Sequence, residues 1–155
     1  MSVFYLDTSA LVKRYIAEIG SAWVSALSDP AAGHTIITAE ITQVEAAAAI
    51  AARHRAPGGI TLQERDNAVD LLAVHCTTEY RLVGTNPVIL DRAIRLTQNY
   101  RLRGYDAVQL ATALVVNDQY VAAGLPGMTI VTADDDLIVA ARAEGLTADN
   151  PNLHP

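Results

Sequence analysis

Short apolar runs alternate with helix-like stretches along the whole chain, and this alternation restricts the fold more than any other feature. Val3-Phe4-Tyr5-Leu6 has the β-branched and aromatic composition of a buried strand. Asp7-Thr8-Ser9 then supplies side chains that cap helices ahead of Ala10-Leu11-Val12, so a strand-to-helix turn is expected there. A short helix is expected over residues 21–27 and a second strand over 34–37, with Thr38 capping an alanine-rich helix to about Arg53. Pro57-Gly58-Gly59 breaks the chain, and Thr61 with Glu64 has the spacing of a capping box opening a helix toward Cys76. A third strand fits residues 80–83, and Pro87 opens a helix reaching about Tyr100. Gly104 marks a break before a helix over 105–116. A strand over 128–131, a helix over 136–144 stopped at Gly145, and a final edge strand over 146–148 complete the series. Strands regularly separated by helices specify a parallel α/β sheet with helices on both faces.

At 155 residues, 51% hydrophobic and 18% charged, the chain can bury one sizeable core, and a single domain over residues 1–155 is expected. The single cysteine, Cys76, excludes an internal disulfide framework and a Cys-based zinc site. The first apolar run is interrupted at Asp7, too early for a signal peptide or a membrane span, so a cytoplasmic protein without membrane contact is expected. A net charge of −6 argues against a protein that coats nucleic acid non-specifically. It is compatible with an enzyme holding cations in an acidic pocket.

In an open parallel sheet, ligands gather beyond the carboxyl ends of the strands. Asp7 follows the first strand, and Asp134-Asp135-Asp136 follows the 128–131 strand after Thr132-Ala133. Two acidic strand ends at one sheet edge repel each other unless a cation lies between them, and Mg²⁺ suits a few hard oxygen ligands. Glu45 lies in the apolar stretch Val44-Glu45-Ala46-Ala47-Ala48-Ala49-Ile50, and Asp106 opens Tyr105-Asp106-Ala107-Val108-Gln109-Leu110-Ala111. Buried carboxylates in such surroundings need partners. Each acid alone has an ordinary explanation: Asp7 as a helix cap, Asp106 as a first-turn dipole partner, Glu45 on a solvent-facing helix edge. Four such acids in one small α/β domain point instead to a shared site.

The arrangement resembles the PIN-domain family. Tyr5-Leu6-Asp7-Thr8-Ser9-Ala10-Leu11-Val12-Lys13 is similar to the family's opening, and Val44-Glu45-Ala46, Leu102 to Ala111 and Val131-Thr132-Ala133-Asp134 are similar to its other motifs, in order. Ala148-Asp149-Asn150-Pro151-Asn152 also resembles tails of this group, and the start looks most like VapC-type toxins of toxin–antitoxin pairs. The resemblance implies a three-layer α/β/α sandwich around a mainly parallel sheet. It implies an acidic quartet of Asp7, Glu45, Asp106 and Asp134 that binds Mg²⁺ or Mn²⁺ and hydrolyses RNA endonucleolytically. It further implies a small VapB-type antitoxin as partner, and a homodimer. Thr8 or Ser9 matches the small hydroxyl beside the first Asp, available to a carboxylate, to a substrate phosphate, or to the cap of the first helix. Asp136 is an auxiliary candidate beside Asp134, with Asp135 solvated. Glu40 lies about 140° from Glu45 around a helix and does not serve the same site.

Arg92, Arg95, Arg101 and Arg103 precede Asp106 and suit either a phosphate track or a solvated helix face. Lys13 and Arg14 suit a substrate or an acidic partner, and Tyr15 and Trp23 suit core or a groove for a partner peptide. His34, His54, His75 and His154 lack metal-ligand spacing. Two rival functions are an aspartyl phosphatase and a non-catalytic PIN-like binding module. The first wants a second acid where Ser9 stands and a late lysine, whereas the only lysine is Lys13. The second leaves four desolvated acids without a purpose.

Overall fold

A computed structural model describes residues 1–154. Five strands, β1 (Val3–Leu6), β2 (Thr35–Ala39), β3 (Tyr80–Val83), β4 (Thr129–Val131) and β5 (Thr147–Asp149), form one sheet in the order β3-β2-β1-β4-β5. Every neighbouring pair is parallel, as the strand–helix alternation requires. The connecting helices are α1 (Thr8–Leu11), α2 (Ser21–Ser28), α3 (Glu40–Arg55), α4 (Leu62–Thr78), α5 (Pro87–Asn99), α6 (Gly104–Ala122) and α7 (Asp135–Ala143).

Strand side chains alternate between faces, and the two cores divide accordingly. Tyr5, Ile37 and Ile130 pack on one face with Ile89 and Leu96 of α5, Leu110 and Leu114 of α6, and Leu137 of α7. Leu6, Ile36 and Val131 pack on the other with Leu11, Val24, Ile50 and Leu72 from α1 to α4. The result is the expected three-layer α/β/α sandwich. Among the described residues no helix is long and apolar enough to cross a membrane.

Local signals were accurate where one side chain settles a helix start. Thr61 Oγ1 accepts from the Glu64 N–H, and Glu64 Oε2 accepts from the Thr61 N–H at 2.7 Å, so the capping box forms. Two expectations change. Thr38 does not cap α3: β2 continues through Ala39, which pairs with Val83, and the Thr38 hydroxyl donates to the last carbonyl of β1, at Leu6, at 2.8 Å. Strand pairing therefore delays the helix by a residue. α6 runs past Val116 through the polar Asn117-Asp118-Gln119 to Ala122, and the chain turns at Gly124 with φ +72°. The Asn117 side chain is occupied there, accepting from the Met128 N–H just before β4 at 2.9 Å.

The sheet order places β1 between β2 and β4. Connections leave β1 first toward β2 and β3, then return to its other side at β4 and β5. The strand ends at β1 and β4 are therefore the switch point where a cleft opens in an open parallel sheet.

Candidate active site

Asp7 stands at that point. It is 5% exposed, its N–H donates to the Val131 carbonyl at 3.2 Å, and its Oδ1 caps α1 by accepting from the Ala10 N–H at 2.9 Å. The capping role and the site role are the same geometry, since the carboxylate must turn toward the helix start that borders the cleft. Ser9 donates to Oδ1 at 2.8 Å, and Thr132, at the end of β4, donates to Oδ2 at 2.6 Å. Burial outweighs these bonds and the nearby Asp106 charge adds to it, so the Asp7 carboxyl is pushed up to about 6.

The other acids arrive from three helices. Glu45 projects from the second turn of α3, where Thr8 Oγ1 and Gln109 Nε2 donate to its Oε2 at 2.7 and 2.9 Å. Asp106, in the first turn of α6, accepts from the Arg103 N–H at 3.2 Å. Its carboxyl is raised, first by desolvation and further by Asp134 and Glu45, against the opposing pull of its bond from Arg103. Asp134 caps α7, accepting from the Leu137 N–H at 3.1 Å. Asp7, Glu45, Asp106 and Asp134 line one cleft of about 220 Å³ together with Thr8, Ser9 and Gln109. The structure thus brings all four expected acids together at the carboxyl edge of the sheet.

Of the neighbouring acids, Asp136 stays close to this group while Asp135 and Glu40 point elsewhere. Asp136 borders the adjoining cleft with Asp106 and Asp134, and exposed Asp135 accepts from the Asn150 amide. Glu40 is exposed at the start of α3 and its carboxylate lies over Gly84, on the side of the helix away from Glu45.

Gln109 was seen in the sequence only as part of the Asp106 motif, with no role assigned to it. It is 3% exposed and accepts from the Tyr5 hydroxyl at 2.6 Å while its amide donates to Thr42 at 2.9 Å and to Glu45. The available signal was its place three residues after Asp106, on the same face of an otherwise apolar helix stretch. Thr132 was seen only as part of a motif, yet it binds Asp7 and accepts from the Asp134 N–H at 3.1 Å, joining two of the acids.

The basic residues divide by neighbourhood. Lys13 is buried, donating to the Ile19 carbonyl at 2.9 Å beside Glu18. Arg14 donates to the Tyr80 hydroxyl and pairs with Glu79, each at 2.7 Å. Arg92 pairs with Asp118, whereas Arg101 and Arg103 border the cleft beside Asp106. Trp23 stacks on His154 with centroids 4.1 Å apart, and Tyr15 joins Tyr80 and His75.

The donor set suits a hard divalent cation. In Glu45, Asp106 and Asp134 one carboxylate oxygen is anchored by a protein donor, while the other has none among the described residues. As they stand, no three His, Cys, Asp or Glu side chains among the described residues are grouped closely enough to hold one metal ion. The carboxylates line the cleft with oxygens that no protein donor occupies, which is the hard-ligand chemistry a divalent cation takes.

No curated protein matches the chain. Solved structures that share its fold include a toxin–antitoxin complex from Klebsiella pneumoniae, with TM-score 0.62 and 16% identity over 97% of this chain and 98% of that one. VapC20 of Mycobacterium tuberculosis, described as a sarcin–ricin loop cleaving toxin, superposes with TM-score 0.59 and 14% identity, covering 88% and 94%. VapBC2 of Rickettsia felis, bound to a promoter DNA fragment, gives 0.61 and 13%, covering 96% and 98%. The PIN domain model matches residues 4–143, so the chain belongs to the PIN-domain family.

Proposed function

We propose that the chain is a single-domain, metal-dependent endoribonuclease and the toxin of a VapBC-type toxin–antitoxin pair, acting in the cytoplasm as a homodimer restrained by a VapB-type antitoxin. The observation that carries the nuclease reading is the convergence of Asp7, Glu45, Asp106 and Asp134 on one cleft at the switch point of the sheet. The toxin role is supported by the fold shared with VapC20 and with two toxin–antitoxin complexes.

Asp7 and Asp106 are the central ligands in this reading, and Glu45 and Asp134 complete the site for Mg²⁺, with Mn²⁺ as a substitute. When bound, the ion supplies Lewis acidity toward the scissile phosphate and a water acidic enough to attack near neutral pH. The chain's own groups hold the acids for that task. Ser9, Thr132 and the Ala10 N–H favour the charged form of buried Asp7, and Thr8 with Gln109 orients Glu45.

The test is incubation of the purified protein with labelled mixed RNA in Mg²⁺, in Mn²⁺ and in EDTA, with Asp106→Asn as control. Discrete fragments that require metal and vanish in the variant are the expected result. Absence of both cleavage and Mg²⁺ binding by calorimetry would refute the reading.

A further inference from the structure

The carboxylate cleft opens on both sides of Asp106. On one side Tyr100, Arg101 and Arg103 border a polar cleft of about 380 Å³ that reaches Asp134. On the other, Arg103, Tyr105 and Val108 border a cleft of about 440 Å³ that reaches Glu45. Asp106 borders all three spaces, which place Arg101, Arg103 and Tyr105 around the acidic centre as the walls of a single binding region, called the groove below.

Arg103 borders both side clefts, Arg101 only the first and Tyr105 only the second. Arg101 and Arg103 make no ion pair among the described residues, unlike Arg14 and Arg92, which are committed to Glu79 and Asp118. Across Asp106, Tyr105 is 58% exposed, and its hydroxyl has no hydrogen bond among the described residues. Gly104, between Arg103 and Tyr105, does not have a positive φ, and a Cβ there would meet no heavy atom within 4 Å. The backbone therefore does not require glycine at this position, which borders the same cleft as Tyr105.

Four carboxylates repel a phosphodiester, so a strand lying over them needs fixed positive charge close by. An arginine fork matches phosphate geometry, and an exposed aromatic ring offers a stacking platform to any base. We propose, on the basis of the ribonuclease reading above, that Arg103 and Tyr105 are the residues that position the substrate strand beside Asp106. Arg103, with Arg101 beyond it, grips phosphates beside the cut, and Tyr105 stacks under a base on the far side of Asp106. A duplex keeps its bases stacked internally and presents none to Tyr105.

The experiment measures binding of fluorescein-labelled oligoadenylate by anisotropy in Mg²⁺, with Asp7→Asn as the non-cleaving background. Cleavage of mixed RNA by the wild type is followed in parallel. Tyr105→Ala is expected to weaken binding roughly 5- to 150-fold while Tyr105→Phe stays near the parent. Arg103→Ala is expected to weaken binding and to lower the salt slope by roughly 0.7. Arg53→Ala, exposed near the end of α3, is expected to change neither. Parental affinity in both Tyr105→Ala and Arg103→Ala, with metal-dependent cleavage intact, would overturn the groove alone. Equal affinity for an RNA duplex would also overturn it. A wild type that neither binds nor cleaves RNA removes the ribonuclease reading, and the groove assignment with it.

Discussion

Thr132 donates its hydroxyl to Asp7 at 2.6 Å, tying the end of β4 to the end of β1. The same oxygen accepts from the Asp134 N–H. One completely buried hydroxyl thus sets the orientation of one acid and the loop that carries another. Of the contacts that favour the charged form of Asp7, this one is the strongest.

Thr132→Val removes that bond while keeping the shape of the side chain. The Asp7 carboxyl should rise further above 6, and metal affinity should drop roughly 10- to 100-fold, the usual cost of losing a group that orients a ligand. Calorimetric titration with Mn²⁺ measures the affinity. The acid limb of the cleavage profile should move to higher pH in the variant, a displacement that simple loss of folded protein does not produce.

Asp7→Asn should stabilise the metal-free protein. Burial raises the folded pKa from 3.8 to about 6. A carboxyl raised in this way contributes nothing adverse below 3.8 and penalises the fold as pH climbs through 6. The full penalty is about 3 kcal/mol, roughly two pH units at 1.36 kcal/mol each. In EDTA the melting temperatures of wild type and variant should coincide near pH 3.5 and diverge by several degrees at pH 8. Mg²⁺ should raise the wild type and leave the variant nearly unchanged.

Gln109→Leu leaves the buried Tyr5 hydroxyl without its acceptor and Glu45 without one of its two donors. A loss of about 1–3 kcal/mol in unfolding free energy is expected from the stranded polar groups. Cleavage should fall more than stability predicts, because Glu45 loses its orientation. Urea titration and initial rates at a temperature where the variant remains folded separate the two effects.

His75 offers a second pH-dependent test away from the acids. Its Nδ1 lies 2.9 Å from the Tyr15 hydroxyl, with Glu79 at 3.6 Å and Arg14 in the same cluster. Desolvation and then the Arg14 charge lower its pKa, against a smaller opposing effect of Glu79. Stability from this site is therefore complete above 6.5 and is lost as pH falls through the lowered folded value. His75→Phe should flatten the decline in urea midpoint between pH 7 and pH 5; an unaltered slope would contradict this assignment.

Elements governed by near neighbours were legible in the chain itself. The runs at 3–6 and 80–83 form strands with those bounds, and the Thr61 capping box and Pro87 helix start appear as expected. Each of these depends on interactions within a few residues, which periodicity and capping chemistry encode directly. The alternation of such elements was sufficient for a parallel α/β class, because few topologies accommodate it.

Other features were decided by contacts between distant segments. The start of α3 depends on β2 pairing with β3, so Thr38 looks like a cap in sequence and serves the sheet in space. Gln109 is unremarkable in a helix until Tyr5, Thr42 and Glu45 are placed around it. Four arginines close together in sequence give no hint that Arg92 pairs with Asp118 while Arg103 borders the groove. The sequence by itself determined the alternating elements and named the four acids through their motifs. Only the tertiary structure decided that positions 7, 45, 106 and 134 share one cleft. Their proximity depends on strand order and helix packing, and no local preference specifies a meeting of residues so far apart in the chain.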